Sequence, residues 1–542
     1  SELMNTSRRS MDGEKKIEFM NPRSGWVFFN ITGKCEVKLD GESEPLALGK
    51  ARQYPGEAMR YLSAGRHSLN IEGVAEGVII RSVPQIIYSC DPDRYSPEMM
   101  NEALANANVL LGGARAKAEF MHEWTNSGKR ILAFTVAPSH QMVGNVRIED
   151  QYVSAEDCYD QITSHKGFSD PLRSGVMVDQ IGSATPPQKI AIARALGRIA
   201  DSQEFENKIY CPWYEGGIGS SGPNRAMDRV ISSAGWPFSF YRYLPEQPTE
   251  QAVEKQIQDN IINTLLASEE NSPGAIRRAV VTLGYLSYVA EAVIQNVNPG
   301  INFQTLMQMQ IETLAKHPDV FGIFGASWYY SPYVDEENLR WAGRLFRHYC
   351  IEGETKPLSN DPYVLGHITN PDFEDGKNGW TISQAQPGAV TTETLAGFGT
   401  MEGRYLGGTH GDTFLLTKRD AKKPNTFSQK IKNLTPGRAY SLKMITADYD
   451  NITAGKSVAK LDAVSVKLDN VELLPGAGRN TQKTYQHKLE AKNFLNFHWY
   501  VFRAKAAEAT LTVSDWATTD SPGAAARSHT MFNFIEIQPY LE

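Results

Sequence analysis

A central (β/α)₈ barrel, flanked by a small N-terminal β-sandwich and a C-terminal β jelly roll, is the fold class this sequence predicts. Three observations carry the prediction. Eight short apolar runs between Ile86 and Ala326 alternate with stretches of helical periodicity. Before them, short strand-like runs are separated by close turn signals, and after Gly366 the chain alternates polar and apolar residues between Pro-Gly turns.

In chain order, residues 1–15 are polar and read as a disordered leader. Trp26 to Thr32, Cys35 to Leu39, Ala58 to Leu62 and His67 to Glu72, with turns at Asp40-Gly41 and Ala64-Gly65, suggest a β-sandwich over 16–83, whose Trp26 and Phe28 pack in its core or against the next domain. The barrel is assigned to 84–351. Its strands are Ile86 to Tyr88, Asn108 to Leu111, Arg130 to Val136, Gly175 to Val178, Lys208 to Pro212, Pro237 to Tyr241, Ala279 to Leu283 and Phe321 to Ala326. Helices are clearest where Val253, Ile257, Ile261 and Leu265, and later Leu339, Ala342, Phe346 and Tyr349, recur at helical spacing. Eight such units in roughly 270 residues suit a barrel of the usual size, about 250. A stretch rich in Pro, Ser, Asn and Asp, 352–366, reads as a hinge-like linker, and 367–542 reads as the jelly roll.

Composition excludes several function classes. A net charge of -7 gives no basic surface for nucleic acid. No apolar run reaches the roughly 18 to 20 residues that span a bilayer. The five cysteines show no CxxC pair or zinc spacing, and the 11 histidines form no HxH or HExxH cluster, so neither a disulfide scaffold nor metal catalysis is indicated. There is no GxxxxGK[ST] phosphate loop, and no GxSxG elbow for a serine nucleophile.

What remains is carboxylate chemistry. The run Ser174-Gly-Val-Met-Val-Asp179 and the run Lys208-Ile-Tyr-Cys-Pro-Trp-Tyr-Glu215 each end on an acid, with a helical stretch between them. Catalytic groups of parallel barrels gather at the carboxyl ends of strands, so Asp179 and Glu215 are expected to face one crevice. Hydrolysis of a glycosidic bond needs such a pair, one acid to protonate the leaving oxygen and one to attack or to activate water. Asp179 is assigned as nucleophile or base and Glu215 as acid, with the roles interchangeable. The competing structural account has Asp179 capping its loop and Glu215 paired with an arginine such as Arg242. Glu246, after the sixth strand, is the substitute acid. Strand-end aromatics Trp213, Tyr214, Tyr241, Tyr285, Trp328 and Tyr329 would line a sugar cleft by stacking, with Arg242, Arg115 and His140 supplying hydrogen bonds.

Three motifs of the last third, Asn370-Pro-Asp-Phe-Glu-Asp-Gly-Lys-Asn-Gly-Trp380, Ser428-Gln-Lys-Ile-Lys-Asn-Leu-Thr-Pro-Gly-Arg-Ala-Tyr-Ser-Leu-Lys443 and Phe532-Asn-Phe-Ile-Glu-Ile-Gln538, occur in the order found in galactose-binding-like jelly rolls. This part resembles the carbohydrate-binding modules of polysaccharide-degrading enzymes. The resemblance implies a structural calcium, for which Asp372 and Glu374 are the nearest candidates, and Glu536 stands where many relatives carry aspartate. The barrel resembles TIM-barrel glycoside hydrolases in general, without matching one family. Together these imply a secreted or periplasmic glycosidase acting on a poly- or oligosaccharide without an organic cofactor. The alternatives are a glycan-binding scaffold on an inactive barrel and a barrel hydrolase acting on an ester or amide.

Overall fold

In the computed structural model the described residues are 1–5, 15–49, 54–90, 97–112, 117–138, 141–143, 146–148, 153–179, 181–216, 218, 222–285, 295–328, 336–402, 411–474, 476, 480–484 and 494–541. The chain begins with one antiparallel sheet built from β1 (Glu2–Asn5), β2 (Lys15–Asn21), β3 (Gly25–Leu39), β4 (Glu57–Leu62) and β5 (Gly65–Val83). β5 is long enough to pair with β2 near its start and with β1 near its end. The expected small sandwich is built from one hydrogen-bonded sheet whose two halves pack around a single core, and Glu2–Asn5 of the expected leader is a strand.

The reason lies at Gly33. The sequence reading breaks the strand there, but β3 runs through it with a register shift between Thr32 and Gly33. Gly33 has φ 116°, and a Cβ at that position would meet the Val74 carbonyl oxygen at 2.3 Å. A bulge of this kind bends a strand without ending it. Val27, Phe29 and Ile31 before the bend, and Val37 and Leu39 after it, then bury against Leu69, Ile71, Val78 and Ile80. Trp26 and Phe28 turn to the other face and join the barrel core. Arg347 clamps Glu57 with two hydrogen bonds of 2.6 and 2.7 Å, and Arg130 lies 4.0 Å over the Tyr61 ring, so the sheet is docked on the barrel by cations.

All eight expected barrel strands are present: β6 (Gln85–Cys90), β7 (Val109–Gly112), β8 (Arg130–Val136), then, after a short hairpin of β9 (Gln141–Val143) and β10 (Val146–Ile148), β11 (Gly175–Asp179), β12 (Ile209–Tyr214), β13 (Phe238–Arg242), β14 (Ala279–Leu283) and β15 (Gly325–Trp328). They close into a parallel barrel in that order, β15 pairing back onto β6. The last strand begins later than expected because Pro318–Val320 forms a 3₁₀ turn and leaves Phe321 82% exposed. Val253, Ile257, Ile261 and Leu265, and Leu339, Ala342, Phe346 and Tyr349, are all buried. Among the described residues no helix is long and apolar enough to cross a membrane.

The remaining strands are β16 (Thr381–Ser383), β17 (Val390–Thr394), β18 (Thr413–Lys418), β19 (Thr426–Ile431), β20 (Ala439–Asp448), β21 (Ser465–Asp469), β22 (Val471–Leu473), β23 (Asn480–Thr484), β24 (Phe494–Ala504), β25 (Ala509–Ser514) and β26 (His529–Pro539). They form a four-stranded sheet, β16-β19-β25-β21, facing a larger one in which β26 and β20 are central. Phe373, Phe427, Leu442, Phe532 and Ile537 fill the space between. The stretch 352–366 is not a hinge. Arg438 holds Asp361 with two bonds of 2.6 Å, Tyr363 is buried with its hydroxyl on the Gln247 backbone, and Val364 bridges to Ile301.

At one end of the sandwich Thr446 donates to Asp462 Oδ2 at 2.8 Å and, its single hydrogen committed, accepts from His498 Nε2 at 2.8 Å. Burial pushes the Asp462 carboxyl up to about 6 and the His498 imidazole down to about 4. Between pH 3.8 and about 6 the folded Asp462 holds a proton that the unfolded chain has lost, so its contribution to stability falls as pH rises. Between about 4 and 6.5 the unfolded chain holds a proton on His498 that the folded chain lacks, so that contribution rises. The two oppose each other. In Asp462→Asn the histidine term is left alone, and denaturant titrations should show unfolding free energy climbing across that window by up to about 1.4 kcal/mol per pH unit more steeply than the parent. Equal slopes would contradict the pairing.

Candidate active site

Alternate residues of a barrel strand face the lumen and the helix layer. Three contacts fix which are which. Tyr285 donates to the Met307 carbonyl at 2.8 Å and Tyr214 donates to Asp228 Oδ1 at 3.0 Å, both on surrounding helices. Val176 lies so close to Gly167 of the helix Lys166–Ser169 that a Cβ there would come within 2.3 Å of its Cγ1. Val176, Val178 and Tyr214 thus face outward. Met177, Asp179, Cys211 and Trp213 face the lumen.

Strand register extends the lumen row. Met177 is level with Phe134, Asp179 with Val136, Trp213 with Ser239, Tyr241 with Thr282, and Thr282 with Ser327. Ser239 and Thr282 join hydroxyls at 2.8 Å. Phe134 meets Trp213 edge-on at 5.9 Å, Trp213 meets Tyr241 edge-on at 5.5 Å, and Tyr241 stacks on Tyr243 at 4.9 Å. This is a continuous aromatic ladder across the mouth. Trp213 itself is buried between Phe134 and Tyr241, while Phe134 and Val136 are well exposed.

Asp179 ends β11 half-buried, and Glu215 is exposed on the bend after β12. Because Val178 pairs with Pro212, Asp179 is level with Trp213 and Glu215 lies two residues further on. Arg242 reaches the same bend, where a Cβ at Gly216 would come 3.0 Å from its Nη2.

Several sequence expectations are corrected. Tyr214, Tyr285 and Trp328 do not line the cleft: Tyr214 is committed to Asp228, Tyr285 to Met307, and Trp328 packs edge-on against Tyr88 at 5.3 Å in the layer between strands and helices. Burial, then Asp228, pushes the Tyr214 hydroxyl well above the ordinary tyrosine range, which keeps it a donor. Glu246 is a buried loop staple, its Oε2 accepting from the backbone N–H of Val297 at 2.8 Å and of Asn298 at 2.7 Å. His140, Arg115 and Tyr329 lie outside the described residues.

In the jelly roll Glu374 accepts from the Gly411 N–H at 2.8 Å, and among the described residues no three His, Cys, Asp or Glu side chains converge. The sequence reading also missed Phe134 and Tyr243 beside the ladder, and the buried lumen pair Ser239 and Thr282. Counting alternate positions from Asp179 along neighbouring strands would have found Phe134, and the Tyr241-Arg-Tyr243 alternation would have found Tyr243.

The outward placement of Tyr285 has a measurable consequence. Tyr285→Phe removes one buried hydrogen bond and should lower unfolding free energy by about 1 kcal/mol in denaturant titrations, with KM unchanged for whatever substrate the chain turns over. A several-fold rise in KM would put the residue in the cleft.

No family model matches the chain, and no curated protein matches it. Among solved structures it is similar to a class V chitinase from Pseudomonas fluorescens, at 10% identity and TM-score 0.32 over 48% of this chain and 99% of that one. It is similar to the spore cortex-lytic enzyme SleL of Bacillus megaterium, at 10% identity and TM-score 0.30 over 56% and 80% of the two chains. It is also similar to the module TmCBM61, solved in complex with β-1,4-galactotriose, at 13% identity and TM-score 0.19 over 32% of this chain and 97% of that one. Similarity at this level names neither a substrate nor a catalytic residue, so the chemistry has to be read from the chain's own side chains.

Proposed function

We propose that the chain is a glycosidase that hydrolyses an O-glycosidic bond of a poly- or oligosaccharide, with Asp179 and Glu215 as its two carboxylates. One observation carries the reading: Asp179 ends β11 on the lumen side and Glu215 directly follows the adjacent strand β12, beside the ladder of Phe134, Trp213, Tyr241 and Tyr243. Carboxyl groups about 5 to 9.5 Å apart serve glycoside hydrolysis, the separation this assignment requires of Asp179 and Glu215. Phe134, Tyr241 and Tyr243 offer ring faces and edges to a sugar, and Trp213 holds them in place.

In this mechanism Glu215 protonates the departing oxygen, and Asp179 either attacks the anomeric carbon or draws a proton from the attacking water. Asp179 is sheltered beside Trp213 and Val136, where a carboxylate interacts strongly with developing positive charge on the sugar. Glu215 is exposed in the free protein, where a bound saccharide can reach it. Arg242, near the bend, is placed to hydrogen-bond a hydroxyl or carboxyl group of the sugar. The proposal includes export to the periplasm or beyond, where the poly- or oligosaccharide would be met.

The test is reducing-end release from a panel of oligosaccharides. Asp179→Asn and Glu215→Gln should each lower kcat on the substrate found by about 10² to 10⁴-fold, with folding unchanged by circular dichroism. Near-full activity in both variants would overturn the assignment. Tight saccharide binding by the parent without turnover would establish the glycan-binding scaffold instead.

A further inference from the structure

Away from the candidate acids, ionisable groups are also buried where the jelly roll meets the barrel. β20 and β26 turn Ser441, Lys443, Glu536 and Gln538 away from the sandwich core, and all four are at most 1% exposed. Lys443 Nζ stands 3.4 Å from Glu337 and 3.9 Å from Glu536. Glu337, in the helix Glu336–Leu345, accepts from Gln304 and from Ser441, each at 3.0 Å. Glu536 accepts from Asn296 Nδ2 at 3.1 Å, and Asn296 is 2% exposed. Burying ions is unfavourable by several kcal/mol each unless partners are held in place. A seam of this kind therefore has one register.

Asn296 belongs to the segment after β14 that Glu246 grips from the other side through the Val297 and Asn298 amides. Gln295 next to it is fully buried, and it packs on Gly284, where a Cβ would come 3.4 Å from the Tyr243 Cα and 3.5 Å from the Gln295 side chain. Tyr243 stacks on Tyr241, which leans on Trp213. Packing thus continues from the sandwich, through Asn296 and Gln295, to the aromatic ladder beside Asp179.

We propose that Glu536 and Asn296 are positioning residues: the jelly roll is a fixed wall of the barrel mouth, and the Glu536–Asn296 bond sets the segment 295–298 and through it Tyr243 and Tyr241. Only the kinetic half of the following test rests on the glycosidase reading. Asn296→Asp places a second carboxylate against Glu536. Asn296→Asp combined with Glu536→Gln restores the hydrogen bond with donor and acceptor exchanged and returns the cluster to its parental charge.

In the full chain, hydrogen exchange at the Val297 and Asn298 amides should quicken about tenfold in the single variant and return to within about threefold of the parent in the double. With the oligosaccharide cleaved fastest in the panel, KM should rise about fivefold in the single variant while kcat stays within about twofold, and KM should recover in the double. A single variant that fails to fold beside a folded double also supports the proposal. Unchanged exchange in the single variant, or a double variant as impaired or as unfolded as the single, overturns it. If no saccharide is cleaved, the exchange measurement decides alone.

Discussion

The two-residue alternation of a strand locked into a closed barrel governs everything that can happen at this mouth. Once β15 pairs with β6, no strand can slip by one residue without turning its entire lumen row into the helix layer. Asp179, Trp213 and Tyr241 share the lumen because of that constraint, and Tyr214, one residue from Trp213, is excluded by it. The same alternation gives Tyr214 and Tyr285 buried hydrogen bonds to helices and leaves the lumen hydroxyls of Ser239 and Thr282 to bond each other. Aromatic residues at strand ends are thus divided by parity into ladder and mortar.

Neither flanking domain hangs from a flexible tether. The N-terminal sheet sits on the barrel through the Arg347–Glu57 pair and the Arg130–Tyr61 stack. The jelly roll is fixed by the strap around Asp361 and Tyr363 and by the buried seam around Lys443. Bidentate arginine pairs give direction as well as attraction, which suits a joint that must hold one orientation. The strap, the segment 295–298 and the start of the helix Glu336–Leu345 all lie beside the later strands of the barrel. The sandwich therefore supports one side of the mouth.

Much of this was legible in the sequence. The eight strands could be placed because each is a short, largely apolar run, and β8 and β14 match their expected bounds. The N-terminal sheet was less readable, since Gly33 looks like a turn locally and is a bulge only in the presence of Val74 across the strand. The strap at 352–366 has linker composition, and its order comes from Arg438 and Gln247, which are remote in sequence. At the site the acids were legible as strand-end carboxylates. The facing of each aromatic was not, because parity depends on which residue of the neighbouring strand is level with it. Glu246 illustrates the same limit: its Pro-flanked loop suggested a defined position, but the amides that occupy it come from about fifty residues downstream.

The central claim is that Asp179 and Glu215 meet across one bound sugar. A crystal structure of Glu215→Gln with the oligosaccharide that the parent cleaves would test it most directly. The account predicts the glycosidic oxygen within hydrogen-bond reach of the residue 215 side chain, and the anomeric carbon about 3 to 3.5 Å from an Asp179 oxygen or separated from it by one water. A saccharide lodged elsewhere, with neither side chain beside its scissile bond, would contradict it.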